Sequence, residues 1–165
     1  MKKYFKFALY FCVYIAIILL FAVMFIITTA DAEIIKPNNG IEPYQVVKIQ
    51  LRGLKNNDTP TVDSGIEQTW KFAHPNNKKY TGPFTTFVSM IKNKPYNILL
   101  NSKFFKIKVL SENKKKARIE VLLDSKNNRR YKIFWHLGKT TIDSKCQNCW
   151  MTLGVTQPFD MGVIY

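Results

Sequence analysis

Two cysteines three positions apart, Cys146-Gln147-Asn148-Cys149, form the densest group of reactive side chains in this chain of 165 residues. Their spacing admits thiol–disulfide exchange, half of a zinc site, or a local disulfide. A tetrahedral zinc site needs four ligands. Beyond the pair, the chain offers Cys12 inside an apolar run and two histidines, His74 and His136. The two histidines are the candidates for the missing ligands, a metal site is the less expected reading, and no metal or cofactor is implied. A redox pair of the thioredoxin kind opens a helix after a strand. Here the pair follows a loop and runs into Trp150-Met-Thr-Leu-Gly-Val155, which reads as a strand. A structural disulfide or inert thiols remain. So short a loop would give much less than the about 2–4 kcal/mol of a typical cross-link.

General acid–base chemistry needs a carboxylate or imidazole whose burial brings its pKa toward working pH. The candidates are His74 and Glu67. Each also has a plainer role. Ser64 with Glu67 makes a capping-box pattern at a helix start, and His74, before Pro75 at a helix end, suits a carbonyl or the helix C-terminus. Glu120 and His136 fall out of phase with the apolar strand positions, on an exposed face or a rim. The aromatics Trp70, Phe87, Tyr131 and Trp135 suit the wall of an apolar pocket, and equally a core.

The elements that must position these residues begin with an address. An uncharged apolar run from Phe7 to Ala30 follows Lys2, Lys3 and Lys6 and precedes Asp31 and Glu33. That charge order places the N-terminus in the cytoplasm and the rest outside it, an extracytoplasmic location. The run is long enough to span a bilayer, which takes about 20 residues. Ala30 and Ala32 also form a cleavage pattern before Glu33. A membrane anchor through residues 7–30 and a removed signal peptide covering residues 1–32 both stay open.

Residues 33–165 carry 22 of the 25 Lys and Arg and 10 of the 11 Asp and Glu, a formal charge of +12. One domain of this size is expected, residues 43–165, after a linker of residues 33–42 containing Pro37 and Gly40. Lys106, Lys108, Arg118, Arg130 and Lys132 fall on neighbouring strands and would form one basic patch. Anionic lipid headgroups suit it better than nucleic acid, because base stacking wants aromatics on the same exposed face and most here take the opposite phase. The plainer account is a solvated basic surface in a chain rich in Lys, Asn and Ile. Asn57-Asp58-Thr59 matches a glycosylation sequon, meaningful only in a eukaryotic secretory pathway.

Pro43 opens a helix in which Tyr44, Val47, Leu51 and Leu54 recur at helical spacing, to Asn56-Asn57-Asp58. A second runs from Ser64 through Ile66, Trp70 and Ala73 to His74-Pro75. A third follows Thr81-Gly82-Pro83 with Phe84, Phe87, Val88 and Ile91 on one face. From Phe104 the period becomes two. Strands are predicted around Phe105–Val109, Ala117–Leu123, Tyr131–Leu137 and Trp150–Val155, with short links that make the neighbours antiparallel. The fold class is α+β, with the helices laid over one face of a bent antiparallel sheet. Trp70 and Trp135 are expected to meet in the core between them.

Pro43-Tyr44-Gln-Val-Val-Lys-Ile-Gln-Leu-Arg-Gly-Leu-Lys-Asn-Asn-Asp58, Trp70-Lys-Phe-Ala-His-Pro75, Gly82-Pro83 and Cys149-Trp150-Met-Thr, in this order, resemble an uncharacterised domain-of-unknown-function family. That family lies within the nuclear-transport-factor-like, or cystatin-like, superfamily. The resemblance covers residues 43 to 158 and implies a cone-shaped fold with a pocket between helices and sheet. It assigns no catalytic residue. The function expected is binding of a small apolar ligand or a protein partner without chemistry. A cofactor-independent isomerase or hydrolyase using His74 or Glu67 is the first alternative. A module that forms a homodimer through its exposed sheet is the second.

Overall fold

The computed structural model describes residues 10, 11, 13–18, 34–141 and 146–164. The chain divides into two units, Met1–Glu33 and Ile34–Tyr165. In the first, Tyr10, Phe11 and residues 13–18 are helical with exposed side chains. The rest of the 7–30 run, and with it the choice between anchor and signal, lies outside the described residues. Among the described residues no helix is long and apolar enough to cross a membrane.

The second unit is α+β. Helix α1 (Pro43–Lys55) starts with proline at its first turn, and the Gln45 side chain accepts from the Glu42 backbone N–H at 3.0 Å. Val46, Val47, Leu51 and Leu54 bury one face, joined in phase by Gln50, while Arg52 and Lys55 complement the dipole at the other end. Helix α2 (Ser64–Lys71) crosses α1 where both present glycine. A Cβ on Gly65 would stand 2.0 Å from the Gly53 carbonyl oxygen. Between the two helices Asn57, 2 % exposed, accepts from the Ile66 N–H at 3.0 Å and donates to Asp58 at 2.8 Å and Asp63 at 3.2 Å. The asparagine of the sequon is thus a buried staple, closed to modification in the folded domain.

The capping box expected at α2 does not form. Asp63 is the N-cap in a left-handed conformation, and the Ser64 hydroxyl donates to the Asn57 and Thr59 carbonyls. Glu67 instead pairs with Lys71 one turn on, at 3.0 Å. A further helix, α3 (Pro75–Thr81), follows at once, although the sequence predicts a break there. It buries none of its side chains, so it has no apolar stripe for periodicity to find. Helix α4 (Phe84–Lys92) buries Phe87 and Ile91, and a 3-10 turn (Tyr96–Leu99) returns the chain to the sheet.

The sheet is antiparallel and open, in the order β1 (Phe104–Glu112), β2 (Lys116–Asp124), β3 (Arg129–Lys139), β4 (Trp150–Val155). Strand β5 (Phe159–Val163), which the sequence does not predict, pairs with β3 on the same edge as β4. The two act as one broken strand, interrupted at Thr156–Pro158. There the Thr156 hydroxyl takes over the Phe134 N–H at 3.0 Å, and proline has no N–H to donate. Ile119, Val121 and Leu123 on β2 and Ile133, Trp135 and Leu137 on β3 are at most 2 % exposed and face the helices. The core lies between the two layers. At the other edge of β4, residues Phe72 to His74 run alongside, with Thr152 N–H donating to Phe72 and His74 N–H donating to Thr152.

Residues 34–42, the linker of the sequence reading, have no regular structure, yet Ile35 exchanges two hydrogen bonds with the Gln68 side chain, at 2.8 and 2.9 Å.

Candidate functional site

A cavity of about 150 Å³ lies between the helical layer and the sheet. Buried Gln50, Thr69, Trp135 and Thr152 make its polar side; Leu54, Phe87, Ile91 and Leu99 make its apolar walls. Half-buried Asn77, Thr81, Met90 and Tyr96 add to the lining from α3, α4 and the 3-10 turn, and Ala73, Gly154 and Val155 complete it. Each polar tip is tied down. The Tyr96 hydroxyl donates to the Val155 carbonyl at 3.3 Å, and burial pushes its pKa up. Asn77 donates to the Thr152 carbonyl at 3.2 Å.

Gln50 is the centre of the polar side. Its carbonyl oxygen accepts from the Trp135 indole N–H at 3.2 Å and from the Thr152 hydroxyl at 2.8 Å. Its amide donates to the Thr69 carbonyl at 3.1 Å. One glutamine from α1 therefore joins α2, β3 and β4, inside a layer where an unpaired amide would cost about 1–3 kcal/mol. Sequence reasoning passed over Gln50; the signal was a polar residue in phase with Val47, Leu51 and Leu54.

Of the aromatics proposed for a pocket, Phe87 and Trp135 line this cavity. Trp70 and Tyr131 do not. Trp70 stands one layer out, its ring 4.9 Å from Phe87 and 6.1 Å from Phe84, beneath the Lys78 ammonium at 4.9 Å. The ring contacts of Trp70 among the described residues are thus with Phe84 and Phe87, not the meeting with Trp135 that the sequence predicts. Tyr131 sits half-buried across from Leu123 of β2 and Asp160 of β5.

His74 and Glu67 also lie outside the lining. Glu67 is occupied with Lys71 on the surface. His74 caps α3: its Nδ1 accepts from the Asn76 N–H at 3.1 Å, so the ring proton belongs on Nε2, toward the Lys139 backbone. Burial pushes the imidazole pKa down, opposed by that backbone bond. A lowered folded pKa gives stability that is complete above the unfolded value, about 6.5, and lost as pH falls through the folded one. Between pH 7 and 5 the domain is therefore expected to lose stability, and His74→Asn, which keeps a capping oxygen, to flatten that loss. Urea midpoints at the two pH values measure it; equal slopes in both proteins would contradict the assignment. Asp63 and Asp124, held below the usual carboxylate range by hydrogen bonds from Lys92 and Arg130, act in the same direction, but only below about pH 4.

The strand register puts Lys106, Lys108, Arg118, Arg130 and Lys132 on the outer face of the sheet. They share it with acids. Arg130 makes a two-point pair with Asp124, at 2.7 and 2.8 Å, and Lys132 approaches Glu120 at 3.9 Å. The Arg118 guanidinium lies 4.7 Å over the Phe134 ring, and exposed His136 is its cross-strand neighbour. The face is a mixed lattice with a positive excess rather than a run of free cations. Exposed Phe104 and Phe159 lie on the same face, across from Asp124 and Lys132.

Cys146 and Cys149 are joined as a disulfide, their Cα atoms 5.7 Å apart. Thr140 organises the turn, exchanging backbone hydrogen bonds with Asn148 and Cys149 while its hydroxyl meets Cys146 and Cys149. Among the described residues no group of three or more His, Cys, Asp or Glu could hold a metal.

No protein-family model matches the chain, and no match is found among curated proteins or solved structures.

Proposed function

We propose that this chain is a small binding domain, cone-shaped and presented outside the cytoplasm behind an N-terminal apolar helix, whose cavity takes a small, mainly apolar molecule without chemistry. What carries the reading is the make-up of the lining. Among the described residues it contains no carboxylate, histidine, lysine, arginine or thiol, and the one ionisable group there, Tyr96, has its pKa pushed up by burial, away from neutral pH. Acid–base turnover by an isomerase or hydrolyase would need such a group in contact with substrate. Shape and apolar walls suit binding instead. The volume fits a molecule the size of benzene, the scale at which apolar cavities of about 150 Å³ take up ligands. The positive excess of the outer sheet face gives a second, weaker contact with anionic lipid headgroups, at about 1 kcal/mol per basic residue near the surface.

Toluene is the simplest probe. At ten times its dissociation constant it is expected to stabilise the domain by about 1.4 kcal/mol, read as a saturable rise in Tm. An unchanged Tm up to the solubility limit of toluene would contradict the reading.

A further inference from the structure

The hydrogen bonds of the cavity's polar side leave a specific remainder. The Trp135 indole N–H can only donate, so its contact at 3.2 Å fixes the Gln50 carboxamide with oxygen toward Trp135. That oxygen also takes the Thr152 hydroxyl proton at 2.8 Å, which fills both of its lone pairs. The Gln50 nitrogen spends one hydrogen on the Thr69 carbonyl at 3.1 Å. Two complementary sites are left on adjacent side chains, both lining the cavity: the second N–H of Gln50 and the lone pairs of the Thr152 hydroxyl. Neither has a protein partner among the described residues, and the two side chains belong to residues 1 % and 2 % exposed.

We infer that the cavity selects a neutral molecule bearing a hydroxyl on a small apolar body, with a phenol as the simplest member, and that Gln50 and Thr152 read that hydroxyl. A hydroxyl accepts from the Gln50 N–H through its oxygen and donates its proton to the Thr152 oxygen, satisfying both at once. A methyl group satisfies neither. A carboxylate could accept but not donate, and it would enter a site with no cation in its lining, where desolvating its charge goes uncompensated. Buried groups left unpaired are what let a site favour a hydroxyl over an analogue lacking it.

This inference rests on the binding reading above, and the test separates the two. Phenol, toluene and benzoate are titrated against the full chain and against Thr152→Val, which keeps the shape of the side chain and removes its oxygen. Wild type is expected to bind phenol about tenfold more tightly than toluene and to bind no benzoate. In the variant, phenol affinity is expected to fall about tenfold while toluene affinity stays within about twofold, which also shows the variant folded. Equal responses of phenol and toluene to the substitution, or benzoate binding as well as phenol, would overturn the inference and leave the cavity reading standing. Binding of neither phenol nor toluene to wild type would overturn both.

Discussion

Gly65→Ala is expected to destabilise the domain by about 3 kcal/mol or more, even though alanine is the better helix former by about 1 kcal/mol. The two effects differ in sign, and distance decides between them. The added methyl would stand 2.0 Å from the Gly53 carbonyl oxygen, 2.5 Å from its carbon and 2.8 Å from the Asn57 Cα. All three are backbone atoms and cannot rotate away. Helices α1 and α2 must move apart, which pulls at the Asn57 bonds between them and at the Gln50 to Thr69 bond. Gly53→Ala is the internal control. Its methyl would meet backbone only at 3.0 Å, so a smaller loss is expected. Urea unfolding of both variants measures the difference, and a Gly65→Ala protein as stable as wild type would refute the close crossing. For a domain whose whole stability is about 5–15 kcal/mol, the expected loss is large.

Trp135→Ala is expected to cost about 3–5 kcal/mol, the range for removing a buried aromatic from a core. Trp135 is 2 % exposed, and its indole N–H is one of the two donors to the Gln50 oxygen among the described residues. The substitution also opens the existing cavity by the volume of an indole. Free indole is therefore expected to raise the Tm of the variant more than that of wild type, by refilling the hole and restoring the donor. Trp135→Phe should keep most of the packing and lose chiefly the hydrogen bond, about 1 kcal/mol. A loss below about 1 kcal/mol for alanine would mean that the ring is not part of the core.

The sheet was legible because β2 and β3 alternate over most of their length between a core face and a more exposed face. Ile119, Val121, Leu123 and then Ile133, Trp135, Leu137 announce their phase without help from tertiary structure. Helix α3 was hidden for the opposite reason, since Asn76, Asn77, Lys78 and Lys79 carry no stripe, and its position comes from Pro75 and the His74 cap. Strand β5 was hidden because Phe159, Met161 and Val163 are all exposed and lie beyond a proline. Periodicity tells which aromatics point inward but not how deep they stand, so it does not separate Trp70 and Tyr131 from Phe87 and Trp135. Depth depends on how layers stack. The polar side of the cavity left only the trace of a glutamine in an apolar phase, and the Gly53 to Gly65 contact left none, because it joins two helices across a loop whose path the sequence does not state.

The central claim, that the space between helices and sheet is the ligand site, is tested most directly by a methyl-resolved NMR titration with toluene. Saturable shifts are expected at the methyl groups of Leu54, Met90, Ile91, Leu99 and Val155, which line the cavity, with Leu122 on the outer sheet face unmoved. Shifts confined to the outer face, or none at the lining methyls when toluene reaches its solubility limit, would contradict it.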